Sequence, residues 1–73
     1  NHHWCRELVM RVYIVSESVE DDTHIVGVYQ NLEDAQDHAA DLAEYAGLDK
    51  DGDYRWSFNG NRPMVTIDWY QVL

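Results

Sequence analysis

Three side chains in one predicted helix have the types and spacing of a metal site. Asp34, His38 and Asp41 are separated by four and three residues, so at about 100° per residue they lie within roughly 60° of one another. A carboxylate and an imidazole at this spacing can hold a divalent cation. Three water-exposed ligands without a second shell would bind it weakly. We therefore expect no metal here, and interpret His38 as an exposed histidine among acids.

A second acidic motif, DKDGD at residues 49–53, resembles the opening of a calcium-binding loop. Asp49, Asp51 and Asp53 occupy alternate positions. An EF-hand loop also needs glycine at its sixth position and glutamate at its twelfth. Counted from Asp49, the glycine comes fourth and the twelfth residue is Gly60. The motif therefore predicts a solvated turn, and we expect neither calcium nor any other cofactor.

Residue patterns for covalent catalysis are missing from the sequence. It has no glycine-rich phosphate loop, no nucleophile elbow and no cysteine pair. Cys5, the single cysteine, has no activating partner nearby in the sequence. His2, His3 and Cys5 lie too close together on a terminus to favour a closed metal site. We predict no catalytic residues and no enzymatic activity.

Five of the fourteen acids belong to a helix predicted over residues 31–47. Asn31 suits the N-cap, because its side chain can accept a hydrogen bond from the Asp34 amide, and Gly47 suits the left-handed position after the helix. The predicted buried stripe consists of Leu32, Ala35, Ala39, Leu42, Ala43 and Ala46. Together with the DKDGD acids, the opposite face predicts a partner-binding region, here called the acidic surface: Glu33, Asp37, Asp41, Glu44, Asp49, Asp51 and Asp53.

Alternation of apolar and polar residues predicts four strands, over residues 8–16, 24–30, 54–58 and 64–73. Residues 17–23 are interpreted as a wide loop, and Asn59-Gly60 as a type I′ turn that residues 61–63 widen. Gly27 predicts a β-bulge or a close approach by the helix. The predicted fold is α+β, a four-stranded antiparallel sheet (β-β-α-β-β) with one helix packed on one face. Residues 1–73 form a single domain, with 1–9 set apart as an extension or tag remnant.

The strand pattern gives this sheet two apolar faces. Under the alanine stripe we expect Val12, Ile14, Ile25, Ile67 and Trp69. The other face is too apolar to stay bare, so it predicts a partner- or dimer-binding surface. That predicted surface consists of Tyr13, Val15, Val26, Val28, Trp56 and Tyr70.

The net charge of −9, from fourteen acids and five bases, restricts the partners. It disfavours direct binding to nucleic acid or to an anionic membrane, and favours a protein with a basic or apolar surface. Acidity also keeps a small protein soluble, and both interpretations stay open. The apolar runs are too short to span a bilayer, and the single cysteine indicates a reducing compartment. We therefore expect a cytoplasmic protein.

Three segments carry a family resemblance: RVYIV at residues 11–15, HIVGVYQNLEDAQDHA at 24–39 and VTIDWYQVL at 65–73. In these segments the chain resembles small bacteriophage proteins of unknown function, in which a hairpin leads into an alanine-containing acidic helix and a terminal strand closes the sheet. Residues 49–63 look like an insertion. The resemblance implies no catalytic residue, a bacterial host cell as the location, and a role in binding and inhibiting a host protein.

Two functions remain as hypotheses. The leading one is a binding module that occupies a host defence or regulatory protein, through the acidic surface or the apolar sheet face. The alternative is a nucleic-acid mimic, whose acidic surface blocks a DNA- or RNA-binding protein. The mimic should lose affinity steeply as salt rises, because exposed charges are screened beyond about 10 Å at 0.1 M salt.

Overall fold

The computed structural model describes residues 10–72 of the chain. The elements follow in the order β1 (Met10–Val19), β2 (Asp22–Tyr29), α1 (Leu32–Ala46), β3 (Asp49–Gly52), β4 (Arg55–Phe58) and β5 (Asn61–Val72). All neighbouring strands are antiparallel, in the sheet order β2-β1-β5-β4-β3, and α1 packs on one face. The predictions for residues 1–9, including the tag remnant and the ligands His2, His3 and Cys5, lie outside the described residues.

The predicted α+β class with a helix on an antiparallel sheet is confirmed, but the number of strands is wrong. Residues 10–72 form five strands, because the predicted solvated turn at 49–53 contains β3. β3 lies at the sheet edge, where Asp49 and Lys50 pair with residues of β4. Pairing of this kind uses backbone groups, so exposed polar side chains do not prevent it. None of the described residues forms a helix long and apolar enough to cross a membrane.

All three hairpin turns within the described chain are two-residue turns, including Asp53-Tyr54 between β3 and β4. β1 and β2 pair up to Val19 and Asp22, so the predicted wide loop at residues 17–23 is wrong. The Arg62 guanidinium donates to the Glu20 carbonyl and supports this turn from β5. The type I′ prediction at residues 59–60 is confirmed, with φ of 53° and 80°. Residues 61–63, however, begin β5 and do not widen the connection.

Both predicted ends of α1 are confirmed, although the N-cap bond is not the one expected. Asn31 has extended backbone angles, yet its side-chain amide donates to the Asp34 carboxylate at 3.4 Å and caps no backbone amide. Gly47 is left-handed, with φ 73° and ψ 33°. The Leu48 amide then donates to the Ala43 carbonyl at 2.8 Å, as in a Schellman motif. This closure directs Leu48 into the core.

The hydrophobic core lies between the alanine stripe of α1 and the sheet. Ala35, Ala39 and Ala43 are buried as predicted, whereas Ala46 at the helix end is exposed. Methyl side chains on the helix leave the core volume to larger residues of the sheet. The buried apolar residues within 10–72 are Val15, Ala35, Ala39, Ala43, Leu48, Trp56, Val65 and Ile67.

The strand register corrects the predicted faces of the sheet. Tyr13 pairs with Trp69 and Val15 with Ile67, so these four residues share one face, and Val15 and Ile67 are buried under α1. Neighbouring positions of β1 must then lie on the rear face, the one away from α1. β1 was predicted with the opposite orientation because it is apolar on both sides, which leaves its alternation ambiguous.

Gly27 lies where β2 approaches α1 closely, and both alternatives predicted for it are confirmed. The register shifts there, since Val15 pairs with Gly27 and Ser16 with Ile25, which leaves Val26 as the extra residue of a bulge. A Cβ atom at Gly27 would lie 2.8 Å from His38 Nδ1 and 2.8 Å from a ring carbon of Tyr29. Glycine is therefore needed for the contact between strand and helix.

Replacing Gly27 by alanine is expected to lower the free energy of unfolding by about 1–3 kcal/mol, the usual cost of overpacking. The new methyl group must displace the rings of His38 and Tyr29, which share a hydrogen bond of 2.7 Å. Urea unfolding of a double-mutant cycle tests this. In a His38→Ala background the same replacement should cost at least about 0.5 kcal/mol less. Equal costs in both backgrounds would contradict the contact.

Candidate partner-binding surfaces

The outer face of α1 presents an uncompensated row of carboxylates. Glu33, Asp37, Asp41 and Glu44 are all exposed, on the side opposite the buried alanines. At 1.5 Å per residue, neighbours in this row are about 5–6 Å apart along the axis, and the whole row spans about 16 Å. In the described part of the chain, the ion pairs join Arg55 to Asp51 and Arg62 to Asp21. The helix row therefore keeps its negative charge.

The DKDGD acids are exposed as well, but only part of this motif extends the helix row. The Gln36 side-chain amide donates to the Asp53 carbonyl at 3.1 Å, which holds the β3–β4 turn beside α1. Asp51 instead forms an ion pair of 3.0 Å with Arg55, and it accepts a hydrogen bond from the Ser57 hydroxyl at 3.3 Å. Its charge is thus offset within β3 and β4. Asp49 and Asp53 have no such ion pair among the described residues.

Tyr45 is an exposed aromatic residue on the outer side of α1. Its relative exposure is 95%, so it contributes almost nothing to the core. It lies next to Glu44 and one turn after Asp41, and therefore borders the acidic surface. Tyr45 was not among the site residues predicted from the sequence. The available signal was its position outside the predicted apolar stripe, which includes Leu42 and Ala46 on either side of it.

His38 is tied to the sheet and is not the exposed histidine that was predicted. Its ring is half-buried, joined to the Tyr29 hydroxyl by the 2.7 Å hydrogen bond and stacked edge-on against the Tyr29 ring. This bond occupies Nδ1. Across residues 10–72, no group of three or more His, Cys, Asp or Glu side chains is arranged to hold a metal ion.

The apolar surface predicted for the rear of the sheet is divided between its two faces. Val15 and Trp56 are buried in the core, while Tyr13 and Val26 pack against it. These four positions are corrected from partner-binding to core-forming residues. Val28 and Tyr70 do lie on the rear face, where they are 58% and 55% exposed. The register adds others to that face, and we define the rear patch as Val12, Ile14, Ile25, Val28, Tyr70 and Val72.

Most of the chain resembles a known protein family. A family model described as a domain of unknown function, DUF7336, matches residues 10–59, more than half of the chain. The chain belongs to this family. No curated protein and no solved structure matches it. The DUF7336 description names no activity, ligand or origin.

The DUF7336 match covers four of the five strands. It extends through residue 59 and so includes most of the stretch at 49–63. The match ends in the turn before β5. In this structure β5 is the middle strand, paired with β1 on one side and β4 on the other. The five-stranded sheet therefore depends on residues that follow the matched segment.

Proposed function

We propose that this DUF7336 domain is a binding module that attaches to a basic surface of another protein through the acidic surface and Tyr45. It acts by occupying that surface and not by catalysis. One observation carries the proposal. The outer face of α1 combines four exposed carboxylates, no helix cation and a tyrosine that is 95% exposed.

The energetics of α1 support binding over a purely solubilising role. Like charges four residues apart destabilise a helix by about 0.2–0.5 kcal/mol per pair. Asp41 and Glu44 also lie in the C-terminal half, where the helix dipole disfavours acids. A cationic partner would relieve both effects and would be steered towards the row during association. Tyr45 supplies a large side chain of the type enriched at binding hot spots.

The resemblance to small bacteriophage proteins suggests what kind of protein the partner is. We propose a bacterial host protein, with a defence or regulatory role, that is inhibited when this domain covers its basic surface. Two features support the choice: the net charge of −9, and the segments at residues 11–15 and 24–39, which carry much of the resemblance. The site of action would then be the host cytoplasm.

The regular spacing of the helix carboxylates favours a second candidate function, mimicry of nucleic acid. Charges about 6 Å apart on a rigid axis form a linear negative array. This array is about half as dense as the charges of one DNA strand, which follow one another about every 3.4 Å along the axis. The array would then compete for the phosphate-binding groove of a DNA- or RNA-binding protein. Under this candidate, the charges dominate and Tyr45 contributes little.

Capture from bacterial lysate, followed by affinity measurement on the purified captured protein, tests the first candidate. The double variant Asp37→Lys/Asp41→Lys should bind at least tenfold more weakly, because it reverses the centre of the row. Asp21→Lys/Asp22→Lys is the matched control, since it makes the same change in net charge at the β1–β2 turn. Equal losses for the two variants would mean that only net charge matters, and the proposal would be wrong.

Tyr45→Ala separates the two candidate functions. For a protein-binding module we expect at least a tenfold loss of affinity that persists at 0.5 M salt, where charges are screened beyond about 4 Å. For a nucleic-acid mimic, Tyr45→Ala should change affinity little, and duplex DNA should displace the domain from its partner. If DNA displaces the domain and Tyr45→Ala leaves the affinity unchanged, the result supports the nucleic-acid mimic.

A further inference from the structure

We propose that the rear face of the sheet binds a second copy of this chain face to face. The resulting homodimer is a four-layered α/β/β/α assembly with its two helices outside. This proposal does not depend on the acidic surface. It follows from the extent, charge and area of the rear patch.

The rear patch is continuous across three neighbouring strands. Ile14 of β1 pairs with Val28 of β2, and Val12 pairs with Tyr70 of β5. Ile25 is the most exposed member, at 66%. Monomeric soluble proteins rarely leave a contiguous apolar patch of this kind uncovered. An α/β layer with a second apolar sheet face is completed by another layer.

The distribution of charge identifies a second copy as the occupant. Two chains of net charge −9 repel each other unless their carboxylates stay apart. On the rear face the register places the acids Asp49 and Asp68 among the described strand residues, and Asp51 joins them through its contacts with Arg55 and Ser57. The ion pair with Arg55 offsets the charge of Asp51. Neighbouring layers pack about 10 Å apart, so stacking the rear faces would put the two helix rows about 30 Å apart. That distance is well beyond the Debye length of about 10 Å at 0.1 M salt. Contacts through the helix faces would bring the acid rows together.

The available area is sufficient for a specific dimer. From the strand lengths, at about 3.3 Å per residue and 4.8 Å between strands, the whole rear face presents about 600 Å², of which the three strands of the rear patch supply about 480 Å². Two copies that stack their whole rear faces would bury about 1,200 Å². That value is at the lower end of stable interfaces. The monomer core is small, and three of its eight buried apolar residues within 10–72 are alanines. A second copy of the chain can enlarge this small core wherever the protein is made, whereas an unrelated partner is not always present.

Asp68 gives the proposal a specific signature. It is exposed on β5 and pairs with Ile14, inside the rear patch. A carboxylate there loses hydration when a second sheet covers it. Asp68→Asn keeps the side-chain shape and removes the charge. We expect this variant to lower the dimer dissociation constant at least threefold.

Sedimentation equilibrium of the full chain, from about 1 to 100 µM, measures the dimer directly. We expect a species of twice the 8.6 kDa chain mass. Tyr70→Lys should raise its dissociation constant at least tenfold. Trp69→Lys is the matched control, because its side chain lies on the opposite face of the same strand and is also exposed, so it should leave the constant unchanged. Circular dichroism verifies that both variants are folded.

Each alternative occupant gives a different result. If the chain stays monomeric at 100 µM, the proposal is wrong, whether another molecule covers the rear face or the face is exposed to solvent. Pairing of β2 edges would survive Tyr70→Lys, since β5 is two strands inside that edge, and this outcome also overturns it. A dimer that Asp37→Lys/Asp41→Lys disrupts would place the interface on α1. A dimer that resists those helix substitutions but is weakened by Tyr70→Lys supports the rear face, whatever the outcome of the partner-binding test.

Discussion

Replacing Trp56 by alanine is expected to lower the free energy of unfolding by about 3–5 kcal/mol, the usual cost of deleting a buried tryptophan side chain. Trp56 is only 5% exposed and pairs with Val65, which is fully buried. A chain of 73 residues has a total stability of about 4–11 kcal/mol. The variant should therefore lose a large share of its stability at 25 °C. Urea denaturation followed by circular dichroism measures the loss.

Trp69→Ala is the matched control for that experiment. Its ring is 45% exposed and contacts the Arg11 guanidinium, whose carbon lies 4.4 Å from the ring centroid. The loss here should be smaller, because nearly half of the side chain is already in water. It comprises the packing of the covered part and a cation–π contact of about 0.5–1 kcal/mol. Similar losses for the two tryptophans would contradict the observed core. A larger loss at Trp69 would restore the interpretation in which Trp69 lies under the helix and Trp56 faces a partner.

Local chemistry was sufficient to predict the features that glycine and the helix period control. Gly47 ends α1, Gly27 marks the bulge and the helix contact, and Asn59-Gly60 forms the predicted turn. Each of these depends on a backbone angle or a steric limit that a few neighbouring residues decide. The helix part of the acidic surface could be predicted for the same reason, since a 3.6-residue period separates buried alanines from exposed carboxylates.

The faces of the sheet could not be predicted, because they depend on pairings between distant parts of the chain. β1 is apolar on both sides, so its own alternation is compatible with either orientation. The bulge at Val26 then changes which residues of β2 face the helix. As a result Val12 and Ile14 were predicted on the helix side of the sheet, where Tyr13 and Val15 are observed. Most residues of the predicted partner surface therefore belong to the core or pack against it.

Interactions between strands also explain the misread acidic motif. Asp and Gly are unfavourable in strands, so DKDG at residues 49–52 indicated a turn. Its backbone nevertheless pairs with β4, and Arg55 compensates Asp51 across that hairpin. Neither partner can be identified from the motif alone. Tyr45 is different, because its place outside the apolar stripe was visible in the helical pattern.

Enlarging Ala39 to leucine is the second change with a large expected effect. Ala39 is fully buried at the centre of the helix stripe. An isobutyl group must push α1 away from the sheet or distort the core, which costs about 1–3 kcal/mol and sometimes more. We expect a lower urea midpoint with little change in helix content for the folded state, since leucine is also a good helix former.

Ala40→Leu controls for the change in residue type, because Ala40 is the next residue of α1 and is exposed. Its effect should stay within about 0.5 kcal/mol, as for most surface substitutions. The comparison therefore isolates the contact between helix and sheet. If both variants unfold at the same urea concentration, the alanine stripe does not pack on the sheet. In that case the acidic row and Tyr45 would no longer have a fixed outward orientation, and the partner-binding proposal would lose its structural basis.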